Sequence, residues 1–307
     1  MFRRSRTSLL LATLAFAAAG LTACGGSDPL ASDGGGDSGS ITIGSANFPE
    51  SELLMQMYAQ ALEAKGVKVT TKPNIGAREV YMKAFEDGSI DLLPEYNGAL
   101  LSYLKPSGVP KSVTSPEAVY KELQGVLPDG SETLPQSAAE DKDTLTVTKA
   151  TADKYHLTSI ADLKPVADEL TVGAGPEWKK RYQGLVGLKD LYGVTFKEFK
   201  PLDSGGPLTI AALKKGDIDV ANVFSTDSNI SENGWVTLTD PKNLYLAENV
   251  VPLIRTDAVT GDVKEALDGV SKALTTQNLT EALAKVQLDK QDPVTVAKDF
   301  LSEHDLL

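Results

Sequence analysis

The chain has 307 residues, of which 42 are acidic and 30 are Lys or Arg, so its formal net charge is −12 at pH 7. Such a chain is a poor partner for nucleic acids and anionic lipid surfaces, because their charge repels it. It has one cysteine and two histidines, and it lacks a nucleophile elbow, a phosphate-binding loop and any His/Cys/Asp cluster with metal-ligand spacing. The sequence therefore predicts no cofactor, no metal site and no enzymatic activity.

The N-terminus has the pattern of a secretory signal. Three arginines among the first six residues precede an apolar stretch at 9–21, which Leu21-Thr-Ala-Cys24 ends. These four residues resemble the bacterial lipobox, in which the cysteine becomes the lipid-modified first residue. The apolar stretch is shorter than the roughly 20 residues that span a bilayer. We therefore expect residues 1–23 to be a lipoprotein signal, with an ordinary signal peptide or a short membrane anchor as the alternatives.

A low-complexity segment follows the signal. Gly, Ser and Asp dominate residues 25–40, which cannot bury enough apolar surface to fold. We expect residues 24–40 to be a flexible tether and residues 41–307 to fold. Without its signal the chain has 27 basic and 42 acidic residues, a net charge of −15. This charge favours neutral or cationic solutes as ligands.

Strand and helix patterns alternate along the rest of the chain. The first group is a strand at 41–45, a helix at 49–65, a strand at 67–71, a helix at 77–86 and a strand at 90–93 that Pro94 ends. The second group is a strand at 170–174, a helix around 184–191, a strand at 194–198, a helix at 208–214 and a strand at 218–223. Helices follow at 263–274, 279–288 and 294–304, the last capped by Asp292. This alternation is typical of βαβ units in mainly parallel sheets.

Several motifs occur twice, about 128 residues apart. Ile41-Thr-Ile-Gly-Ser45 recurs as Leu170-Thr-Val-Gly-Ala174, and Gly88-Ser-Ile-Asp91 recurs as Gly216-Asp-Ile-Asp219. Five residues after each of these aspartates lies an aromatic residue, Tyr96 in one copy and Phe224 in the other. A repeat this long is not a solenoid unit and indicates two related α/β lobes.

The two aromatic residues are the first candidates for a binding site. Ligands favour clefts between domains and the carboxyl ends of parallel strands, where Tyr96 and Phe224 are both expected. The alternative is that each ring only caps the core of its own lobe. Short apolar strands near 145–148 and 250–254 bracket the second copy.

These two strands predict the domain organisation. The second lobe, 147–249, is inserted into a first lobe formed by 41–146 and 250–307. The two crossings then act as a hinge that closes the lobes around a ligand.

Four sequence blocks carry a family resemblance. They are Ile43-Gly-Ser-Ala-Asn-Phe-Pro-Glu50, Gly88-Ser-Ile-Asp-Leu-Leu-Pro-Glu-Tyr-Asn-Gly98, Gly175-Pro-Glu-Trp178 and Asp219-Val-Ala-Asn-Val-Phe-Ser-Thr-Asp227. From about residue 41 to the C-terminus, the chain resembles the ProX-like lipoproteins that bind glycine betaine, choline and carnitine for ABC transporters.

The resemblance implies a two-lobed α/β fold like that of periplasmic binding proteins. It also implies a monomeric receptor, anchored by lipid on Cys24 to the outer face of the bacterial membrane, that delivers a small solute to a permease and its ATPase.

The same resemblance implies roles for individual residues. Family members surround a methylated cation with aromatic rings, whose faces attract cations. Tyr96 and Phe224 match two positions of this cage, and Arg181 matches an arginine that contacts the ligand's carboxylate. Trp178 is either a further wall or the hydrophobic anchor of its loop. Asn47, in the first block, is also expected to line the site.

Other positions depart from the family pattern. Ala46 stands where members often have lysine, and Arg78 is expected either to replace that lysine or to be a surface arginine paired with Glu79 or Glu95. Asp143 and Glu248 align with two further cage tyrosines. Carboxylates at these positions attract a cation directly and suit one that has N–H or O–H donors. An amino acid or another zwitterion is therefore the alternative ligand, and a surface sensor or an enzyme of this fold is the more distant alternative.

Overall fold

The structure is a computed structural model that describes residues 40–106 and 108–307. The predicted signal at 1–23, the lipidation site Cys24 and all of the predicted tether except Ser40 lie outside the described residues. Among the residues that are described, no helix is both long enough and apolar enough to cross a membrane.

The N-terminal part follows the predicted alternation. Its elements are β1 (Ser40–Ala46), α1 (Pro49–Ala64), β2 (Lys68–Gly76), α2 (Arg78–Glu86), β3 (Leu92–Tyr96), α3 (Asn97–Leu104), α4 (Pro116–Gln124) and β4 (Ser131–Thr133). Helix α1 begins with proline at its first position and has Glu50 and Glu52 in its first turn, where the helix dipole stabilises acidic side chains. One face of this helix is buried and includes Leu53, Met57 and Tyr58.

The middle part contains shorter elements. They are β5 (Asp143–Val147), α5 (Lys149–Tyr155), β6 (Thr171–Ala174), β7 (Glu198–Pro201), α6 (Pro207–Lys215), β8 (Val220–Phe224), α7 (Ser228–Glu232) and β9 (Val236–Thr237). A helix is present where one was predicted around 184–191, but it consists of two consecutive π-helical turns, Tyr182–Val186 and Leu188–Tyr192, with a kink at Gly184. The strand predicted at 194–198 is misplaced, since β7 begins only at Glu198.

The C-terminal part confirms the three predicted helices. It comprises β10 (Val250–Arg255), α8 (Gly261–Ala273), α9 (Thr276–Gln287) and α10 (Pro293–Glu303). As predicted, Asp292 caps α10, and its side chain accepts a hydrogen bond from the Val294 amide at 2.8 Å.

The strands form two five-stranded sheets with the same topology. Their orders are β2-β1-β3-β10-β4 and β7-β6-β8-β5-β9. In each sheet one strand, β10 or β5, is antiparallel to both of its neighbours. The sheets are therefore mixed: the other four strands of each sheet run in one direction, in agreement with the prediction of mainly parallel sheets, and the reversed strand is an addition to it. Strands β5 and β10 are reversed because they are the predicted crossings. Each one comes from the other half and enters its sheet at the carboxyl ends of the parallel strands, so it runs against them.

The two crossing segments lie side by side. The Asp141 amide donates to the Glu248 carbonyl at 3.0 Å, and the Val250 amide donates to the Ala139 carbonyl at 3.0 Å. Strand β5 pairs with the second sheet from its first residue, so the predicted lobe boundary between residues 146 and 147 falls inside this strand.

Strand β3 does not end at Pro94 as predicted but continues to Tyr96. Pro94 pairs with Pro252 of the antiparallel β10. This pair lies at a position of the β3–β10 ladder without hydrogen bonds, so the missing N–H groups of the two prolines remove none between these two strands. The continuation brings Tyr96 to the carboxyl end of the sheet.

Each sheet is covered on both faces. In the first sheet, one face packs on α1, α8, α9 and α10 and the other on α2, α3 and α4. In the second sheet, the larger core includes Leu145, Val172 and Val220, and a smaller core lies beside α6. Each half thus has its own core, which leaves the space between the halves for a site.

Candidate functional site

A cleft lies where the carboxyl ends of β1 and β3 face those of β6 and β8. Its empty space is about 570 Å³ with the open mouth included. All eight residues predicted for the ligand site line this cleft: Asn47, Arg78, Tyr96, Asp143, Trp178, Arg181, Phe224 and Glu248. Their contact with a ligand remains a prediction.

Three aromatic rings from both halves meet inside the cleft. The ring of Phe48 lies 6.0 Å from that of Tyr96 and 5.0 Å from that of Phe224, between centroids. Tyr96 is 5 % exposed, whereas Phe224 is half-buried. Gly205 has a φ of +62°, and a Cβ atom there would lie 3.0 Å from the Phe224 ring. Glycine therefore leaves the space in which this ring rests.

Phe48 was not among the predicted site residues. It lies between β1 and α1, beyond the carboxyl end of a parallel strand, and its backbone is extended. An aromatic residue three positions after the first predicted strand was the available signal, because ligands of such sheets bind beyond the carboxyl ends of the strands.

Arg78 is a buried residue and not the surface arginine of one alternative, although its predicted pairing with Glu95 is present. Its Nε and Nη2 donate to the two carboxylate oxygens of Glu95 at 3.0 and 3.1 Å. The Tyr81 hydroxyl also donates to Glu95. Burial alone would lower the pKa of Arg78, but the charge of Glu95 raises this pKa well above its usual value. The guanidinium is therefore charged and already neutralised within the first half.

Arg181 joins the two halves across the cleft. Its Nε and Nη2 donate to the carboxylate oxygens of Glu79 on α2 at 2.9 and 2.7 Å. The arginine side chain is 24 % exposed and that of Glu79 is 42 % exposed, so solvent screens this pair in part. Both arginines of the cleft thus have a glutamate partner in two-point geometry.

Asp143 and Glu248 lie together on the crossing segments. Asn222 donates to Asp143 at 2.7 Å, and Gln183 donates to Glu248 at 2.7 Å. The Asp143 amide also donates to the Glu248 carboxylate at 3.3 Å. Burial raises the pKa of both acids, and the charge of Asp143 raises that of Glu248 further. A cation placed beside them would relieve this repulsion.

Two further buried acids, Glu50 and Asp141, were missed by the sequence analysis as site residues. Each is 2 % exposed. Glu50 accepts a hydrogen bond from the Tyr96 hydroxyl at 2.7 Å and another from the Thr226 hydroxyl at 2.5 Å. Asp141 accepts from the Thr226 amide at 3.0 Å. Glu50 therefore contacts both halves of the molecule.

Trp178 has features of both alternatives considered for it. It is 3 % exposed and stacks on Phe199 at 6.4 Å between centroids, as an anchor of its loop would, and it also lines the cleft. Among the described residues, its Nε1 donor has no hydrogen-bond partner. Asn47 is exposed at the cleft wall. Within 40–106 and 108–307, no group of three or more His, Cys, Asp or Glu residues could hold a metal ion.

Comparison with known proteins gives one consistent result. Residues 39–303 match the family model of the substrate-binding domain of ABC-type glycine betaine transport systems. The chain is 26 % identical to a glycine-betaine-binding protein of Pseudomonas aeruginosa, over 97 % of this chain and 96 % of that one. It is 25 % identical to the carnitine transport binding protein OpuCC of Listeria monocytogenes, over 88 % and 89 %.

A solved structure shares the fold. It is described as a glycine betaine/carnitine/choline ABC transporter and superposes with a TM-score of 0.68 at 23 % identity, over 87 % of this chain and 99 % of that one. The two-lobed α/β architecture predicted from the sequence is thereby confirmed, and we call the halves around the first and second sheets lobe 1 and lobe 2.

Proposed function

Since this chain belongs to the family of substrate-binding domains of ABC-type glycine betaine transport systems, we propose that its two lobes close on a small quaternary-ammonium solute such as choline, glycine betaine or carnitine. The family consists of extracytoplasmic binding proteins that serve a permease. The chain is therefore a transport binding protein, and the identity of its solute is the subject of the proposal.

The observation that carries the proposal is the combination of three rings with buried acids. Ring faces attract a methylated ammonium group, which has no hydrogen to donate. Phe48 and Tyr96 provide faces from lobe 1 and Phe224 provides one from lobe 2. Asp143 and Glu248 add negative charge at the same cleft, where screening by water is weaker than in bulk solvent.

The charges in the cleft also determine how well it can bind the carboxylate of a betaine. Arg78 and Arg181 are the cationic side chains that line it within the described residues, and each is bound to a glutamate. A ligand carboxylate must therefore compete with Glu95 or Glu79 for a guanidinium. The free Nε1 donor of Trp178 can serve either a carboxylate or a hydroxyl oxygen. We therefore expect choline, which lacks a carboxylate, to bind more tightly than glycine betaine.

A second candidate is an amino acid or another zwitterion with N–H donors. Asp143 and Glu248 favour it, because carboxylate oxygens accept hydrogen bonds that a trimethylammonium group cannot give. The three rings favour the quaternary ammonium. A surface sensor or an enzyme of this fold is the remaining alternative.

Titration calorimetry with a panel of solutes tests the proposal. The panel contains choline, glycine betaine, carnitine, several amino acids, and 3,3-dimethylbutan-1-ol as a neutral analogue of choline. Heat from choline or a betaine, with little from the neutral analogue, supports the proposal. Binding of amino acids alone refutes it. Chemical conversion of a bound solute, followed by mass spectrometry, would favour an enzyme.

We further propose that Cys24 carries a lipid that holds a monomeric receptor at the outer face of the membrane, beside its permease and ATPase. The lipobox-like sequence before Cys24 supports this. Fractionation tests it: the parent protein is expected with membranes, and Cys24→Ser in the soluble extracytoplasmic fraction. A Cys24→Ser protein that stays with membranes would count against the lipid anchor.

A further inference from the structure

Glu50 lies beside the cleft, and neither the aromatic cage nor the arginine pairs explain its contacts. It lies in the first turn of α1 in lobe 1, and its two carboxyl oxygens bind different lobes. Oε1 accepts from the hydroxyl of Tyr96 in lobe 1 at 2.7 Å. Oε2 accepts from the hydroxyl of Thr226, two residues after Phe224 in lobe 2, at 2.5 Å. One carboxyl group thus ties a ring of lobe 1 to the segment that carries the ring of lobe 2.

Asp141 binds the same residue from the crossing segment. Its Oδ1 accepts from the Thr226 amide at 3.0 Å and from the Ser225 hydroxyl at 3.2 Å. Asp141 and Glu50 therefore meet at Thr226, which donates its amide to Asp141 and its hydroxyl to Glu50. Both carboxyl groups are buried, and two negative charges this close repel each other, so a proton on one of them stabilises the pair.

Among the described residues, no cationic side chain is paired with Glu50 or Asp141 to neutralise their charge. Each of these two acids is only 2 % exposed. The charged and titratable groups that face the pair are acids and a phenol: Asp227 after β8, Glu248 on the other crossing and Tyr96 on β3. Two unscreened negative charges at this spot would push the lobes apart.

We propose that Glu50 is a positioning residue that closes the cleft through one proton shared with Asp141, so that solute binding is coupled to proton uptake. In the closed form the proton lies between the two carboxyl groups, and Glu50 keeps its bonds to Tyr96 and Thr226. When the lobes open, water reaches both acids and the proton leaves to solvent. The coupling to solute binding rests on the proposed function, whereas the closure itself rests on the contacts of Glu50 with Tyr96 and Thr226.

The sign of the pH dependence follows from the buried state of the pair. Burial raises the pKa of Glu50, and burial together with the charge of Glu50 raises that of Asp141. Closure is therefore fully supported below the ordinary pKa of an exposed carboxyl, about 4, and loses this support as the pH rises through the higher pKa of the closed form.

The test compares Glu50→Gln with Glu50→Ala. Glutamine imitates the protonated acid: it accepts from Tyr96 or Thr226, donates to Asp141, and cannot titrate. Alanine removes all of these bonds. The control is Glu52→Gln in the same helical turn, because Glu52 is bound to Asn74 outside the cleft. Choline affinity is measured by calorimetry from about pH 4.5 to about pH 9.

We expect the affinity of the parent protein and of Glu50→Gln to agree at low pH. As the pH rises, the parent should lose affinity relative to Glu50→Gln, although Asp143 and Glu248 add a pH dependence that both proteins share. Glu50→Ala should bind about 10- to 100-fold more weakly at every pH, because Thr226 and Tyr96 lose their acceptor. The proposal is overturned if Glu50→Gln binds choline as weakly as Glu50→Ala does. It is also overturned if the choline affinity of Glu50→Gln has the same pH dependence as that of the parent protein.

A second measurement does not need a solute. Small-angle scattering of the ligand-free proteins should show the parent becoming less compact as the pH rises, and Glu50→Gln changing less. Equal responses of the two proteins overturn the Glu50 proposal even if choline binds. Conversely, a protein that binds no member of the solute panel but shows this difference refutes the proposed function and leaves the proton-linked closure supported.

Discussion

Replacing Phe224 by leucine should weaken binding of a cation without weakening binding of a neutral molecule of the same shape. The ring is half-buried, lies 5.0 Å from that of Phe48, and sits in the space left by Gly205. Leucine keeps most of the apolar volume, so the main loss is the ring face. A cation–π contact contributes about 0.5 to 2 kcal/mol, which corresponds to a roughly 2- to 30-fold loss of affinity.

Alanine at the same position should cost more, because packing is lost as well. For Phe224→Ala we expect a loss of about 1 to 3 kcal/mol in binding free energy, below the cost of emptying a fully buried aromatic site, since this ring is partly exposed. The difference between the alanine and leucine variants then measures the packing contribution.

Calorimetry with choline and with 3,3-dimethylbutan-1-ol separates charge from shape. Phe224→Leu should lower the affinity for choline and leave that for the neutral analogue nearly unchanged. Phe196→Leu is the matched control, because Phe196 is a partly buried ring that packs on the core of lobe 2 and does not line the cleft. Equal losses for both ligands would show that the ring only fills space, and unchanged affinities would show that Phe224 belongs to the core.

Two ion pairs give further predictions. Glu79→Gln and Arg181→Gln should each weaken the binding of all solutes by up to about 1 kcal/mol, and the double variant no more than either alone, as measured by a calorimetric double-mutant cycle. If Glu79→Gln instead strengthens glycine betaine binding and leaves choline unchanged, Arg181 is a carboxylate receptor and not a contact between lobes. Glu95→Gln should lower the free energy of unfolding by about 3 to 5 kcal/mol in denaturant titrations, because it leaves the charge of Arg78 buried without a partner; a loss below about 1 kcal/mol would contradict this.

The sequence predicted elements well where local signals were sufficient. Helix α1 has proline at its first position and acids in its first turn, and α10 has the Asp292 cap, so both begin where expected. The departures have long-range causes. The helix around 184–191 is present, but it forms π-helical turns that begin at Tyr182 and are kinked at Gly184, where a Cβ atom would lie 1.7 Å from the Trp178 carbonyl oxygen. The hydrophobic periodicity of residues 184–191 does not indicate the close approach of Gly184 to Trp178.

The same distinction applies to the site. The internal repeat and the family resemblance together identified eight residues that line one cleft. Both can be recognised within short sequence blocks, so neither requires knowledge of long-range contacts. Glu50 was missed because a local explanation, an acid in the first turn of a helix, was already sufficient for it. Its partner Thr226 lies 176 positions further along the chain, and nothing in either segment alone indicates the contact.

The cleft residues come from two sources, the repeated motifs and the crossing segments. The paired rings come from the repeat: Tyr96 and Phe224 end equivalent strands, β3 and β8. Across the ladder, however, Tyr96 faces Val250 whereas Phe224 faces Asp143, because the reversed strands are the crossings and lie outside the repeated motifs. The acidic residues Asp143 and Glu248 therefore reach the cleft from the crossing segments. Substitutions in the crossing segments can change the charge that a solute meets while the repeated strands and their rings stay in place, so we expect solute selectivity in this fold to depend on the crossings.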